Sequence, residues 1–376
     1  MNVGFIGVGQ AGGNIADIAD TFGYTACIMN TSPEDLSSIT NIMNTSKLLI
    51  GSNGGCGKNR ALAKADVKSS YKNIINFVRE KFDDDIDLVY VVFSAGGGTG
   101  SGMSPMIVDL LIKSFPNKRF GAVMVLPSLQ ESVVSFVNSL GCIKEVFSLN
   151  IPTIIADNNK FAGKFTKKRM YDMINHRIIE NFNLLFRTER ESSKLGNLDN
   201  KDLSKLLSTP GMTIINDYNI AKGEDLDEHS FAKGIMDSWN NNIYCEIDHD
   251  KIIKRMGFIY EISDAHTQLV NNKEITKEVG EPLEIFDGYY KPANNSERVI
   301  SIITGLSFPE SHLKEIEESI NVKKGNINTK KESSMLEGID TDWFNGLSDE
   351  APKSLKSDTS VKSTEDIDFA DLFSKY

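Results

Sequence analysis

The sequence predicts an α/β protein: a Rossmann-like domain on a doubly wound parallel sheet, a long central helix, a smaller α+β domain and a disordered C-terminal tail. Three observations predict it. Apolar runs of strand length alternate with helical periodicities through the first half of the chain, as in sheets covered on both faces. Two of these runs end in glycine-rich loops, Gly7–Gly13 and Gly96–Gly102. From about Lys323 the composition shifts to Lys, Ser, Asp, Glu, Asn and Gly, which cannot bury enough surface to offset chain entropy.

The chain is organised around Val89–Gly102, VYVVFSAGGGTGSG. Val89–Phe93 reads as a buried strand. Gly96, Gly97, Gly98, Gly100 and Gly102 then leave a loop whose N–H groups can converge on an anion without Cβ interference. Thr99 and Ser101 add hydroxyl donors, and the helix that follows points its positive end at the same place. The loop reads as a phosphate cradle. Val3–Gly13, VGFIGVGQAGG, is a second strand and glycine loop, with a helix pattern from Asn14. Alone it satisfies G-x-G-x-x-G, the fingerprint of NAD- and FAD-dependent oxidoreductases. Such an enzyme wants an acid at the tip of the second strand, but Tyr24–Met29 ends in Asn30-Thr31-Ser32-Pro33, with Glu34 and Asp35 just beyond. It has no need of a second phosphate loop, so this reading stays a remote alternative.

With 376 residues the chain has room for two domains and a tail. Its net charge of −11 argues against direct binding to DNA, which needs clustered Lys and Arg. Cys27, Cys56, Cys142 and Cys245 lack CxxC spacing and read as reduced thiols. The chain enters a strand at once and has no apolar run of membrane-spanning length, so a cytoplasmic protein without membrane insertion is expected.

GGGTGSG resembles the signature of the tubulin superfamily, shared by FtsZ and TubZ proteins. The resemblance covers about residues 1–308 and is strongest in the first half. It implies GTP or GDP with Mg2+ as the ligand, without fixing the metal ligands. It places Gly9, Gln10, Ala11 and Asn14 in the first nucleotide loop and Asn30 at the start of the second. Gly51–Arg60, containing Gly55, becomes a third loop that senses the γ-phosphate, with Lys58 and Arg60 as cations. Gly96, Gly97, Gly98, Thr99, Gly100 and Ser101 hold the phosphates. Pro127–Ser132 falls near the ribose. Asp157, Asn158 and Asn159 end a strand where amides can read a base edge. The helix expected over Lys167–Glu191 matches the family's central helix, which assigns Tyr171 to stacking on guanine and Asn175 to hydrogen-bonding it.

In FtsZ proteins the water-polarising loop reads Asn-x-Asp with a second acid three residues on. Sought after Pro210-Gly211, it points to Asn216 and Asp217, although these are adjacent and Ile220 stands where the second acid belongs. Asp217 is the first candidate, and the run Glu224, Asp225, Asp227, Glu228 is the fallback.

The expected domains are residues 1–165, binding GTP; 166–209, central helix and connection; 210–322, the second domain; and 323–376, the tail. The second domain should carry strands at Lys254–Ile262, Glu284–Tyr290 and Arg298–Leu306 and a charged helix at Pro309–Val322. Two apolar islands interrupt the tail, Trp343–Leu347 and Asp366–Phe373, and the second, with Phe and Leu clustered among acids at the extreme C-terminus, reads as a docking peptide for a partner. By the same resemblance, subunits stack head to tail and complete each other's active site in trans. The nearest match within the superfamily is the TubZ type, GTPases that segregate plasmid or phage DNA through an adaptor. An FtsZ-type division GTPase is the alternative.

Overall fold

The computed structural model describes residues 1–376 except 52–53, 187–189, 191–193, 249–252, 278, 294–295 and 330–368. The first half alternates strand and helix. Strand β1 (Val3–Val8) leads into α1 (Gly9–Thr21), then β2 (Thr25–Asn30), α2 (Pro33–Ser38), β3 (Lys47–Leu49), α3 (Arg60–Lys81), β4 (Leu88–Ser94) and α4 (Thr99–Ser114). β5 (Arg119–Leu126), α5 (Val133–Ser148) and β6 (Pro152–Asp157) complete the rhythm. Helix α6 (Lys167–Leu185) and α7 (Asn200–Leu207) lead to β7 (Gly211–Asn219), α8 (Glu228–Asn240) and β8 (Arg255–Glu261). Then come α9 (Asp264–Thr267), α10 (Asn272–Thr276), β9 (Glu284–Tyr290), β10 (Arg298–Leu306), α11 (Glu310–Thr329) and α12 (Phe369–Ser374).

The strands form one sheet in the order β3-β2-β1-β4-β5-β6-β7-β10-β8-β9. It is parallel from β3 to β7. β10 inserts antiparallel between β7 and β8, and β8 pairs parallel with β9. Leu88–Phe93 is fully buried, which is why this central strand reads as an unbroken apolar run. Burying these six side chains, at about 2 kcal/mol each, makes β4 the spine of the sheet.

Close backbone approach explains one glycine of the first loop: a Cβ on Gly12 would lie 2.1 Å from the carbonyl oxygen of Val92, so only glycine lets α1 pack on β4. Helix α6 crosses the sheet's middle, where Phe182 meets Phe5 and Tyr90 edge-on at 5.1 and 5.0 Å. Asn181 donates to the carbonyl of Ile215 (2.7 Å) and ties the helix to β7. Ile316 and Ile320 of α11 pack against Phe136 and Leu140 of α5.

Three expectations change. Leu206–Tyr218 is not a loop: it holds the end of α7 and most of β7, whose residues Met212–Asp217 are buried. Helix α6 ends at Leu185, and the rest of its expected span falls partly outside the described residues. Helix α11 runs to Thr329, past the expected start of the tail, and the chain's last residues form α12 against the body. Trp343–Leu347 lies outside the described residues. All four cysteines are free and buried. No helix among the described residues is long and apolar enough to cross a membrane.

Candidate functional site

Parallel strands leave a crevice outside their carboxyl ends, and here it is a cavity of about 670 Å³ beside the ends of β1, β4 and β5. Gly9, Gln10, Ala11 and Asn14 line it from the start of α1, and Gly55 and Lys58 from the loop before α3. Gly96, Gly97, Gly98, Thr99 and Gly100 line it at the start of α4. Two glycine loops, each opening a helix, thus converge on one space, and both helix N-termini favour an anion there.

The glycines of the second loop have different jobs. A Cβ on Gly97 would meet no protein atom within 4 Å, whereas one on Gly98 would lie 2.7 Å from the Cα of Lys58. Gly97 therefore leaves room for a ligand, and Gly98 leaves room for the neighbouring loop. Thr99 shares a hydroxyl hydrogen bond with Thr31 (2.9 Å). Ser101 is fully buried and does not line the cavity; its hydroxyl donates to the carbonyl of Gly97 and braces the loop instead of meeting phosphate.

Lys58, at φ 64°, donates to Ser132 and Ser135 (3.0 and 2.7 Å) while lining the cavity. Arg60 turns away from it. Its guanidinium donates to the carbonyl of Ser101 and to Glu145 (3.0 and 2.6 Å). Asn138, which nothing in the sequence singled out, donates to the carbonyls of Lys58 and Gly97 (both 3.0 Å) and clamps the two loops together. Asn30 is buried behind the cavity. Its Oδ1 accepts from the N–H groups of Thr31 and Ser32 (2.8 and 3.2 Å), and its amide donates to Asp35 (3.3 Å). Ser32 and Asp35 face the space.

At the other end, Asn158, Lys167, Tyr171, Asn175 and Glu131 line the cavity. The Oδ1 of Asn158 is buried without a hydrogen-bond partner, an acceptor that a base N–H would satisfy. Tyr171 donates to Glu131 (3.4 Å), and burial followed by the Glu131 charge pushes its phenol above the usual range. Asp157 and Asn159 do not join them. Asp157 points to His312 (3.9 Å) and Cys245, and burial raises its carboxyl above the ordinary value. Asn159 accepts from the N–H of Leu129 (3.2 Å) and anchors the neighbouring loop.

Asn216 and Asp217 sit elsewhere. They border a separate hollow of about 580 Å³ between α6, β7 and the end of α8. Asp217 is buried and paired with Arg177, and Asn216 donates to the carbonyl of Ser238 (2.7 Å). The carboxylate is engaged by Arg177 at the edge of that hollow, away from the cavity between the two glycine loops.

The spacing sought at Asp217 occurs upstream, as Asn197-Leu198-Asp199-Asn200-Lys201-Asp202. Asp199 caps α7, accepting from the N–H groups of Lys201 and Asp202 (2.6 and 3.0 Å), while Asp202 accepts from the N–H of Asp199 (3.1 Å). Asn197 and Asp199 are exposed, and the turn is pinned by the Tyr290 hydroxyl accepting from the N–H of Leu198 (2.9 Å). Asn200 and Lys201 share a surface hollow with Met1, Asp87 and Arg119, at the amino ends of β1, β4 and β5. The turn and the cavity lie at opposite ends of the same strands, ~20 Å apart along the strand direction.

Residues 2–166 match the family model "Tubulin/FtsZ family, GTPase domain". The tubulin-like protein TubZ of Clostridium botulinum C phage is 31% identical over 393 residues, covering 99% of this chain and 98% of its own. The chain belongs to the Tubulin/FtsZ family. The tubulin-like protein CetZ of Pyrococcus abyssi is 27% identical over 321 residues, covering 81% of this chain and 86% of its own. The crystal structure of the C. botulinum phage c-st TubZ superposes with a TM-score of 0.70 at 27% identity, covering 86% and 98% of the two chains. A GTPγS-form protofilament of Bacillus thuringiensis serovar israelensis TubZ shares the fold, with a TM-score of 0.74 at 18% identity over 88% and 94%. Membership makes the nucleotide GTP or GDP and the activity that of a GTPase. The dinucleotide-enzyme alternative is therefore set aside: its fingerprint loop is the first of two glycine loops on one cavity.

Proposed function

We propose that this tubulin-like protein is a TubZ-type cytoplasmic GTPase. It stacks head to tail into filaments, hydrolyses GTP at the junction between subunits, and moves plasmid or phage DNA through an adaptor that takes its C-terminal tail. The observation that carries this reading is the opposed placement of the cavity and the Asn197–Asp202 turn. Among the described residues, the carboxylates lining the cavity are Asp35 and Glu131, and both are already hydrogen-bonded, to Asn30 and Tyr171. A γ-phosphate there lacks a carboxylate free to polarise water. A second subunit stacked on the cavity's mouth by its opposite end brings Asp199 and Asp202 to the γ-phosphate. This contact is heterologous and does not close, so it propagates a filament.

In this reading Gly97 and Gly98 present N–H groups to the phosphates, Lys58 adds charge, and Asn158 and Asn175 read the base over Tyr171. Asp35 is the carboxylate that would hold a Mg2+ brought with the triphosphate, and the ion would supply charge neutralisation for phosphoryl transfer. Phosphoryl transfer then needs mainly a positioned water, which the incoming carboxylates supply. The net charge of −11 supports an adaptor between filament and DNA.

The test is a pair of variants. Asp199→Asn keeps a good helix cap but loses the charge. It should bind GTP and form filaments while turnover falls about a hundredfold or more. Asp217→Asn should keep turnover once folded. The reverse pattern would return catalysis to Asp217 and defeat this assignment.

A further inference from the structure

The chain ends against its own nucleotide-binding half. Leu372 and Phe373 are 2% and 8% exposed, and the Phe373 ring meets Tyr71 of α3 edge-on at 5.6 Å. Tyr376 donates its hydroxyl to the Asp109 carboxylate and the Pro105 carbonyl of α4 (both 3.3 Å). Its ring lies beneath the ammonium of Lys64 of α3, at 5.4 Å. Lys375 pairs with Asp109, which is only 5% exposed and otherwise has the more distant Lys113 (3.8 Å). Without this segment a buried carboxylate and an apolar groove would stand open, which is costly for a surface.

We propose that Leu372–Tyr376 is a latch that folds back in cis into the groove between α3 and α4, and that a partner binding the tail must first lift it. Length permits the return: a chain of the 39 residues from 330 to 368 can span at most ~130 Å when fully extended. Charge favours it. Lys64, Lys68 and Lys72 recur at four-residue spacing along one face of α3, and the segment before the latch carries Glu365, Asp366 and Asp368. The latch touches Lys64 and Tyr71 on one helix and Pro105 and Asp109 on the other. These helices begin at the two loops that carry Lys58 and Gly97, so the latch braces the phosphate loops from behind. The docking contact stands independently of the proposed catalytic mechanism.

Amide hydrogen exchange of the full chain, kept below its filament-forming concentration, tests this. Residues 372–376 and the part of α3 around Tyr71 should be protected, and equally so across a wide dilution series. Phe373→Asp should speed exchange in both segments by about tenfold or more. Asp109→Asn, made from the groove side, and Tyr376→Phe should each release the terminal residues while the rest of the chain stays protected. Unprotected termini in the unsubstituted chain would overturn the latch. Protection that vanishes on dilution would also overturn the cis assignment and place the peptide on a second copy.

Discussion

Arg60 repairs the break that a proline makes in α4: its guanidinium donates to the carbonyl of Ser101 from Nη2 at 3.0 Å and from Nε at 3.3 Å. Pro105, four residues on, has no N–H to offer that carbonyl. The cation expected at the γ-phosphate is therefore structural, held between Ser101 and Glu145. Arg60→Ala should cost about 2 kcal/mol of stability, read by chemical denaturation, because a charged donor is lost from a carbonyl of the buried Ser101. The ratio of GTP to GDP affinity should be unchanged. A lowered ratio at unchanged stability would put Arg60 back on the nucleotide.

Gly97 and Gly98 separate ligand space from packing space. Gly97→Val places its side chain where no protein atom lies within 4 Å, so the fold should persist while GTP affinity drops at least tenfold, measured by titration calorimetry. Gly98→Ala should instead lower the melting temperature, because its Cβ would meet the backbone of Lys58. Undiminished affinity in Gly97→Val would contradict the phosphate cradle.

Asn158 carries an unpartnered, buried Oδ1 on the cavity wall. An acceptor there suits the N1–H and exocyclic amine of guanine. Asn158→Ala should cut the preference for GTP over ATP by about 1–3 kcal/mol in competition binding. An unchanged preference would leave base reading to Asn175.

Asp199 gives a pH signature. Hydrogen bonds from the N–H groups of Asp202 and then Lys201 hold its carboxyl below its usual 3.8. A carboxyl lowered by folding adds stability that is fully present above its unfolded value and is lost as pH falls through its lower folded value. Acid unfolding curves of the native chain and Asp199→Asn should therefore differ above the ordinary carboxylate range and converge well below it. Curves that diverge further on acidification would refute the cap's charge as the cause.

The sequence was most informative where backbone geometry restricts residue choice. Gly9, at φ 72°, and Gly12 and Gly98, where a Cβ would meet backbone, are visible because no other residue serves there, and the buried runs of β4 and β5 read directly as strands. β3, only three residues long, carries too little pattern to be read. Asp157, Asn158 and Asn159 are alike in type, and only the turn after β6 decides that Asn158 alone faces the cavity. The Asn-x-Asp spacing with a second acid three residues on also occurs at Asn197–Asp202, where the proposed function puts the water-polarising carboxylates. Pro210-Gly211 is a misleading landmark for it, because that turn opens a buried strand. The island Asp366–Phe373 reads from sequence as a docking peptide for a partner, whereas the surface of α3 and α4 that Phe373 and Tyr376 meet exists only after folding.

The central claim is that the active site is completed between subunits. Phosphate release from GTP, measured against protein concentration with light scattering followed in the same sample, tests it most directly. Turnover per molecule should stay near zero until scattering appears and then rise steeply, as filaments bring Asp199 and Asp202 to the neighbouring nucleotide. Turnover that is constant per molecule across that threshold would mean that one subunit hydrolyses GTP alone, and the account would be wrong.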